Sequence, residues 1–275
     1  MSKKFLFILL FGLPSAAQLR AQTAAHPKSF PGTSSPAAAQ TRRIDTVAVA
    51  ILDKMSAMIG DLSSCSFTVK ANYDIASKNL GLIKHSDDEQ VYLHGPNKLL
   101  LKSEGDQGSR DFYFDGNTLS YYSLDQNQYG QIEAPVSLVE MIDTVNKLYG
   151  IDFPAADFLY PTFVDDILAE SKELVYLGLT KVDGKDCYHI AGIGKDMSFQ
   201  FWISDDAYTL PMKMVIIYTA KEMSPQYEAV LSNWQVNPEL PDALFSFTVP
   251  HKARKVKLVP LSAKDFIAKD PAAKK

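Results

Sequence analysis

Cys187 and His189 stand two apart in the run Asp-Cys-Tyr-His. On a β-strand, positions i and i+2 share a face, so a thiol and an imidazole there could form an activated nucleophile. Such a pair needs a third group to orient the base, and none is identifiable near it. Two ordinary strand residues beside a turn is the simpler reading. A serine nucleophile would call for a G-x-S-x-G elbow, which the chain lacks. The sequence also lacks H-E-x-x-H and C-x-x-C, and its five histidines, His26, His85, His94, His189 and His251, are scattered. Gly192-Ile193-Gly194-Lys195 is a fragment of a phosphate loop, but Asp196 takes the Ser/Thr place and the context is strand to strand, so it reads as a turn. The expectation is a non-enzyme with no catalytic residues, no metal site and no cofactor.

The residues that could bind something are apolar. Phe199, Phe201 and Ile203 share one face of a strand, with Trp202 on the other. Met212, Met214, Ile216 and Tyr218 share a face of the next strand, opposite Val215 and Ile217. A sheet apolar on both faces must be covered twice, or must line a greasy cavity on one side. Unbranched Met adapts to irregular contents, which suits a lipid. The candidate ligand-binding set is Phe199, Phe201, Met212, Met214, Ile216 and Tyr218 from this hairpin. Leu138, Met141, Ile142 and Val145 from a helix complete it. A filled core and a ligand cavity both remain open at this stage.

The elements that position these residues are readable. Asp45 can cap a helix to about residue 61, with Val47, Ala48, Ile51, Met55, Met58, Ile59 and Leu62 at steps of three and four. Cys65, Phe67, Val69 and Ala71 alternate with polar residues as a half-buried strand. Residues 77–89 are polar with scattered apolar positions, and short strands follow at 90–93 and 98–103 around Gly95-Pro96-Asn97. Asp115-Gly116-Asn117 joins a hairpin of 111–114 and 118–124. Ser137 and Glu140 form a capping box for the helix that carries Leu138 to Leu148, and Gly150 ends it. A short helix to about residue 170 carries Phe163, Val164, Ile167 and Leu168, and the link 153–160 before it is apolar for a loop. Strands resume at 173–182 and 185–193 around Asp183-Gly184, then in the hairpin 199–219, then at 227–236 with Trp234. Few, grouped helices among hairpin-linked strands make the class α+β with an antiparallel sheet.

Lys3 and Lys4 precede the apolar run 5–13, and small residues follow at Ala17 and Ala21, either of which fits signal cleavage. The run is broken by Pro14 and is shorter than the roughly 20 residues a membrane span needs. The expected layout is a signal peptide at 1–21, a linker rich in Ala, Ser, Thr and Pro at 22–43, one domain at 44–259 and a polar tail at 260–275. The mature protein is expected in the periplasm or outside the cell, without a transmembrane anchor. Export permits a disulfide between Cys65 and Cys187, and two buried free cysteines are the alternative. A net charge of -4 gives no nucleic-acid footprint. Lys252, Arg254, Lys255 and Lys257 alternate with Val256 and Leu258 as on a charged edge strand, the alternative being contact with anionic lipid.

The run FWISDDAYTLPMKMVIIYT, followed by YEAVLSNWQVNPELPDALFSFTVP, resembles the DUF2092 family of predicted periplasmic proteins. The likeness rests on the Phe-Trp-Ile with its following Leu-Pro, on Trp234, and on the close at 240–247, and extends over about residues 44–250. That family resembles, at fold level, the outer-membrane lipoprotein carriers and receptors. The resemblance implies a strongly curved antiparallel sheet, a half-barrel, with helices over a concave side that binds acyl chains in the carriers. Lipoprotein transport itself is not implied, because no motif for handing cargo to a receptor is present. The implied role is an exported, non-catalytic carrier or sensor for a lipid or other hydrophobic ligand. A structural module of the envelope with a filled core and a protein partner is the alternative.

Overall fold

The structure, a computed structural model, describes residues 42–261. The signal read at 1–21, the linker as far as residue 41 and the tail beyond 261 lie outside the described residues. Arg43, read as the last linker residue, instead begins the ordered fold. β1 (Arg43–Ile44) pairs in parallel with β8 (Glu173–Val182).

Two antiparallel meanders make the sheet. The first is β2 (Ser64–Ser77), β3 (Gly81–His94), β4 (Lys98–Gly105), β5 (Gly108–Phe114), β6 (Thr118–Ser123) and β7 (Gln128–Glu133). The second is β8, β9 (Lys185–Ile193), β10 (Ser198–Ser204), β11 (Pro211–Ile217) and β12 (Gln226–Val236). They join where β12 pairs antiparallel with β2. With β13 (Arg254–Lys255) laid parallel along β7, the strand order is β1-β8-β9-β10-β11-β12-β2-β3-β4-β5-β6-β7-β13. The sheet is open and curved, antiparallel except at its two short outermost pairs. Of the basic run near the C-terminus, Arg254 and Lys255 form this edge strand, while Lys252, Lys257 and Leu258 lie outside it.

This order dictates where the helices go. β7 lies near one edge of the sheet and β8 near the other, so the chain between them must cross a whole face. That crossing carries α2 (Leu138–Tyr149), a 3-10 turn (Ala156–Leu159) and α3 (Phe163–Glu170). α1 (Thr46–Gly60) makes a similar passage from β1 to β2 in the middle of the sheet. All three helices cover the concave face. Among the described residues no helix is long and apolar enough to cross a membrane.

The caps follow the sequence. The Asp45 carboxylate accepts from Val47 N at 2.8 Å, and Ser137 Oγ accepts from Glu140 N at 3.2 Å. Gly150 closes α2 at φ 65°, a left-handed position that glycine takes without a Cβ penalty. The apolar face of α1 is rotated from the expected one: Ala48, Leu52, Met55 and Ile59 are buried, while Val47 is 49% exposed. Leu52 is fully buried in the main core, and the run of apolar residues is wider than the side of the helix that the core covers.

Two strands depart from the sequence reading. The polar stretch 77–89 belongs largely to β3, paired with β2 down to Ser77↔Gly81. Polar cross-strand pairs replace apolar alternation there: Lys84 Nζ lies 2.8 Å from Asp74 Oδ1, and Ser86 Oγ donates to Asn72 Oδ1 at 2.8 Å. β7 gave no strand signal because Ile132 is its one apolar inward residue flanked by polar ones, and the inward position before it is Gly130. A Cβ on Gly130 would come within 2.6 Å of Leu258, so a leucine from the C-terminal segment supplies that apolar position.

The main core fills the angle between helices and sheet. Phe158, Phe163 and Phe201 meet edge to face with centroids 5.2–5.8 Å apart, tying the crossing segment to β10. Gly192 lies opposite Phe199 on β9, where a side chain would collide with the Phe199 ring. On the convex face a smaller cluster joins Val182, Cys187 and Met212 to Trp202, Val230 and Trp234. Met212 therefore does not share a face with Met214 and Ile216, contrary to the simple alternation. A register shift between Trp202 and Ile203 gives β11 an extra residue and turns Met212 outward.

Phe201 is fully buried at the centre of the aromatic trio. Phe201→Ala is expected to cost about 3–5 kcal/mol, read as a lower urea midpoint at unchanged slope. Leu179→Ala, at a position 59% exposed, should stay within about 0.5 kcal/mol.

Candidate functional site

The concave face is not filled along its whole length. Between the sheet and the segment that leaves α2 is a cavity of about 370 Å³. Ala71, Leu101, Phe112 and Met214 are part of its sheet side, and residues 150–155 with Asp157 form its roof. The roof is pinned at several points. Gly150 N donates to Asn146 O at 2.8 Å, and the Phe153 ring meets Phe112 edge-on at 5.6 Å. Beyond β13, Leu258 seats over Gly130 and borders the cavity, and Leu261 N donates to Leu148 O at 2.7 Å. The C-terminal segment thus runs from the sheet edge to the end of α2.

One end of the cavity is polar. Asp87 and Glu89 stand two apart on β3, in the same inward row as Val91 and Leu93. Arg110 on β5 and Tyr73 on β2 complete the group. Asp87 Oδ2 accepts from Tyr73 Oη at 3.3 Å and from Arg110 Nη2 at 3.4 Å. Asp87 Oδ1 lies over Gly105, in the space a Cβ there would occupy. Asp87 Oδ1 and Glu89 Oε2 are buried without a hydrogen-bond partner among the described residues. Ser103 Oγ, opposite Glu89 on β4, eases its ionisation but is not at hydrogen-bonding geometry.

These surroundings disfavour charge. Burial pushes the Glu89 carboxyl up to about 8, with the neighbouring Asp87 adding to the rise and Arg110 opposing it. Burial pushes Asp157 in the roof up to about 7. Asp87 is raised by burial and held back by Arg110. The Tyr73 and Tyr227 hydroxyls are raised by burial and by the acids near them.

Of the ten residues expected to bind ligand, Met214 and Tyr218 line this cavity. Phe199, Phe201 and Ile216 share its face but are packed into the core, where Phe201 meets α3. Met212 is on the opposite face. Met141, Ile142 and Val145 are buried in the core, and Leu138 is half-buried against it. Ile142 borders only a void of about 10 Å³ beside Phe153. The cover over the cavity is the link between the helices rather than the helices themselves. Asp87, Glu89 and Arg110 were missed, yet a signal was present: counting back by two from Leu93 and Val91 places both carboxylates on the buried face, and from Phe114 and Phe112 it places Arg110 there.

The cysteine question resolves by topology. Cys65 is buried in the main core and Cys187 in the convex cluster, and both are free. Burial pushes the Cys65 thiol up to about 12 and raises that of Cys187. His189 stacks on Trp202 at 4.2 Å and its Nε2 is 3.0 Å from Gln200 Oε1. A raised thiol beside an imidazole already engaged is the opposite of an activated nucleophile.

A family model described as "Predicted periplasmic protein (DUF2092)" matches residues 48–259. No curated protein matches the chain. Among solved structures, an uncharacterized conserved protein from Thermus thermophilus aligns at 11% identity and TM-score 0.45, over 77% of this chain and 99% of its own. LprF from Mycobacterium bovis aligns at 14% identity and TM-score 0.43, over 76% and 98%. A LolA superfamily protein from Nitrosomonas europaea aligns at 13% identity and TM-score 0.33, over 73% and 97%. The fold assignment rests on the strand order and helix placement described above.

The buried acids generate a stability prediction. Glu89 and Asp157 keep protons in the folded protein that the unfolded chain releases near the ordinary values of 4.5 and 3.8. Between those values and about 7 to 8 the native state binds more protons, so stability falls as pH rises and then levels off. Unfolding free energies from urea titrations at about pH 5 and about pH 8 should differ by a few kcal/mol, and Glu89→Gln should shrink that difference. An equal slope in wild type and variant would show that Glu89 ionises freely.

Proposed function

Because the chain belongs to the DUF2092 family of predicted periplasmic proteins, we propose that it is an exported carrier or sensor that holds a lipid or other amphipathic ligand in the concave cavity. The observation that carries this reading is the cavity of about 370 Å³ left between a sheet and a helical crossing that are otherwise closely packed. Small-molecule pockets commonly span about 300–1,000 Å³ and are mostly apolar, with a few polar groups that orient the ligand. Leu101, Phe112, Met214 and Leu258 supply the apolar wall here, and Asp87, Glu89 and Arg110 the polar end. Each 100 Å² of apolar ligand surface buried would contribute about 2.5 kcal/mol before the costs of association. Among the described residues no nucleophile with a base lies in the cavity, which favours holding a ligand over transforming it. The same cavity favours a ligand-binding protein over a filled structural module.

Met214 and Tyr218 are retained as ligand contacts, and Phe199, Phe201, Ile216, Met141, Ile142 and Val145 are assigned to the core that flanks the cavity. Entry would require movement of residues 150–155 or of the segment carrying Leu258, since these form the cover.

Native mass spectrometry of the protein purified from its own envelope should show a bound lipid-sized mass. After delipidation, a fluorescent long-chain probe should bind, and Ala71→Trp, which fills the cavity from β2, should weaken it by at least about tenfold. Protein that is free of ligand and that binds no such probe would refute the proposal. Thermal unfolding of the variant serves as the control for folding.

A further inference from the structure

The polar end of the cavity has a definite chemical bias, and its reading rests on the cavity being a ligand site. Asp87 and Glu89 are 5% and 9% exposed, and both line the cavity. Each has one carboxyl oxygen with no partner among the described residues. Leaving a buried acceptor unmet costs about 1–3 kcal/mol, so such groups are normally met by something. Asp152 and Asp157 add two more carboxyls along the roof. Among the described residues, the cation that lines the cavity is Arg110, and it already faces Asp87 Oδ2 at 3.4 Å. A carboxylate or phosphate head would lie against the Asp87 carboxylate, disfavour ionisation of Glu89 and Asp157 further, and find the arginine already engaged. A head that donates hydrogen bonds would meet acceptors in need of donors. An ammonium carries three donors and no acceptor, and its charge also opposes the mutual repulsion of the acids.

We propose that the cavity takes an amphipathic amine: its chain lies along Leu101, Phe112 and Met214, and its ammonium bridges the unpartnered oxygens of Asp87 and Glu89. Asp87 positions Arg110 and the ligand together, one oxygen to each. Glu89, with no arginine of its own, holds its proton in the empty cavity and gives it up to solvent when an ammonium comes to lie beside it, so it is the group that distinguishes an amine from an acid. Gly105 permits this arrangement, because any side chain there would displace Asp87 Oδ1.

The test uses the full exported protein, delipidated, with three probes of equal chain length: dodecylamine, dodecanol and dodecanoate. Dissociation constants are measured by titration calorimetry near neutral pH, below the probes' micelle-forming concentrations. Dodecylamine is expected to bind at least about tenfold more tightly than dodecanoate, with dodecanol between them. In Glu89→Gln the ratio of amine to carboxylate binding should fall toward one, and Asp87→Asn, the second variant, should lower it in the same direction. Equal or tighter binding of dodecanoate, or a ratio unchanged in Glu89→Gln, overturns the head-group assignment while leaving the cavity reading intact. Failure of all three probes to bind overturns both.

Discussion

The separation of β7 and β8 to opposite sides of one sheet is the constraint from which the rest of this structure follows. Two meanders meet at β12 and β2, which leaves the end of the first and the start of the second far apart. The connection must cross the concave face, and its backbone must bury apolar side chains against that face as it goes. Phe153, Phe158 and Phe163 are the residues that do so. A loop rich in phenylalanine is unfavourable in water, and its composition makes sense only as an element that lies on a sheet.

The same crossing produces the cavity. α3 and the 3-10 turn press on β10 through Phe158, Phe163 and Phe201. At the other side α2 and Phe153 press toward β4 and β5. Between these contacts the chain passes from Gly150 to Ala155 as a roof, and the space between it and Ala71 stays open. The sheet in turn presents Ala71 there, with Ala229 beside it, where larger residues would have closed the gap. Small residues on one side and a bridging link on the other leave a void that neither element shows alone.

The acids at the end of this void are expensive to keep, and their surroundings show how the cost is limited. Asp87 is met by Tyr73 and Arg110, and Gly105 makes room for its second oxygen. Glu89 instead holds its proton. Both solutions need groups from different strands: β2, β4 and β5 contribute around residues of β3. The outer half of β3 is thereby explained as well, since a strand that carries inward acids and outward polar pairs lacks the alternation that marks a strand.

Much of the fold was legible in the residues. The caps at Asp45, Ser137 and Gly150, the turns at 115–117 and 183–184, and the two-sided apolarity of the hairpin at 199–219 are local chemistry, decided by neighbours in the chain. So was the α+β class, and the family resemblance placed the helices over a concave sheet. Only the tertiary structure decided which inward residues touch ligand space and which touch other side chains. Met214 and Phe201 are alike in the sequence, yet one lines a cavity and the other is held by Phe158 and Phe163. Met212 was turned away by one extra residue in β11, a shift set by pairing with β10. Leu258 and Gly130 became a pair across more than a hundred residues of chain, because both edges of the sheet needed covering. Period and composition report which way a side chain points. What it meets there depends on where the chain returns, and that is set by the order of strands in the sheet.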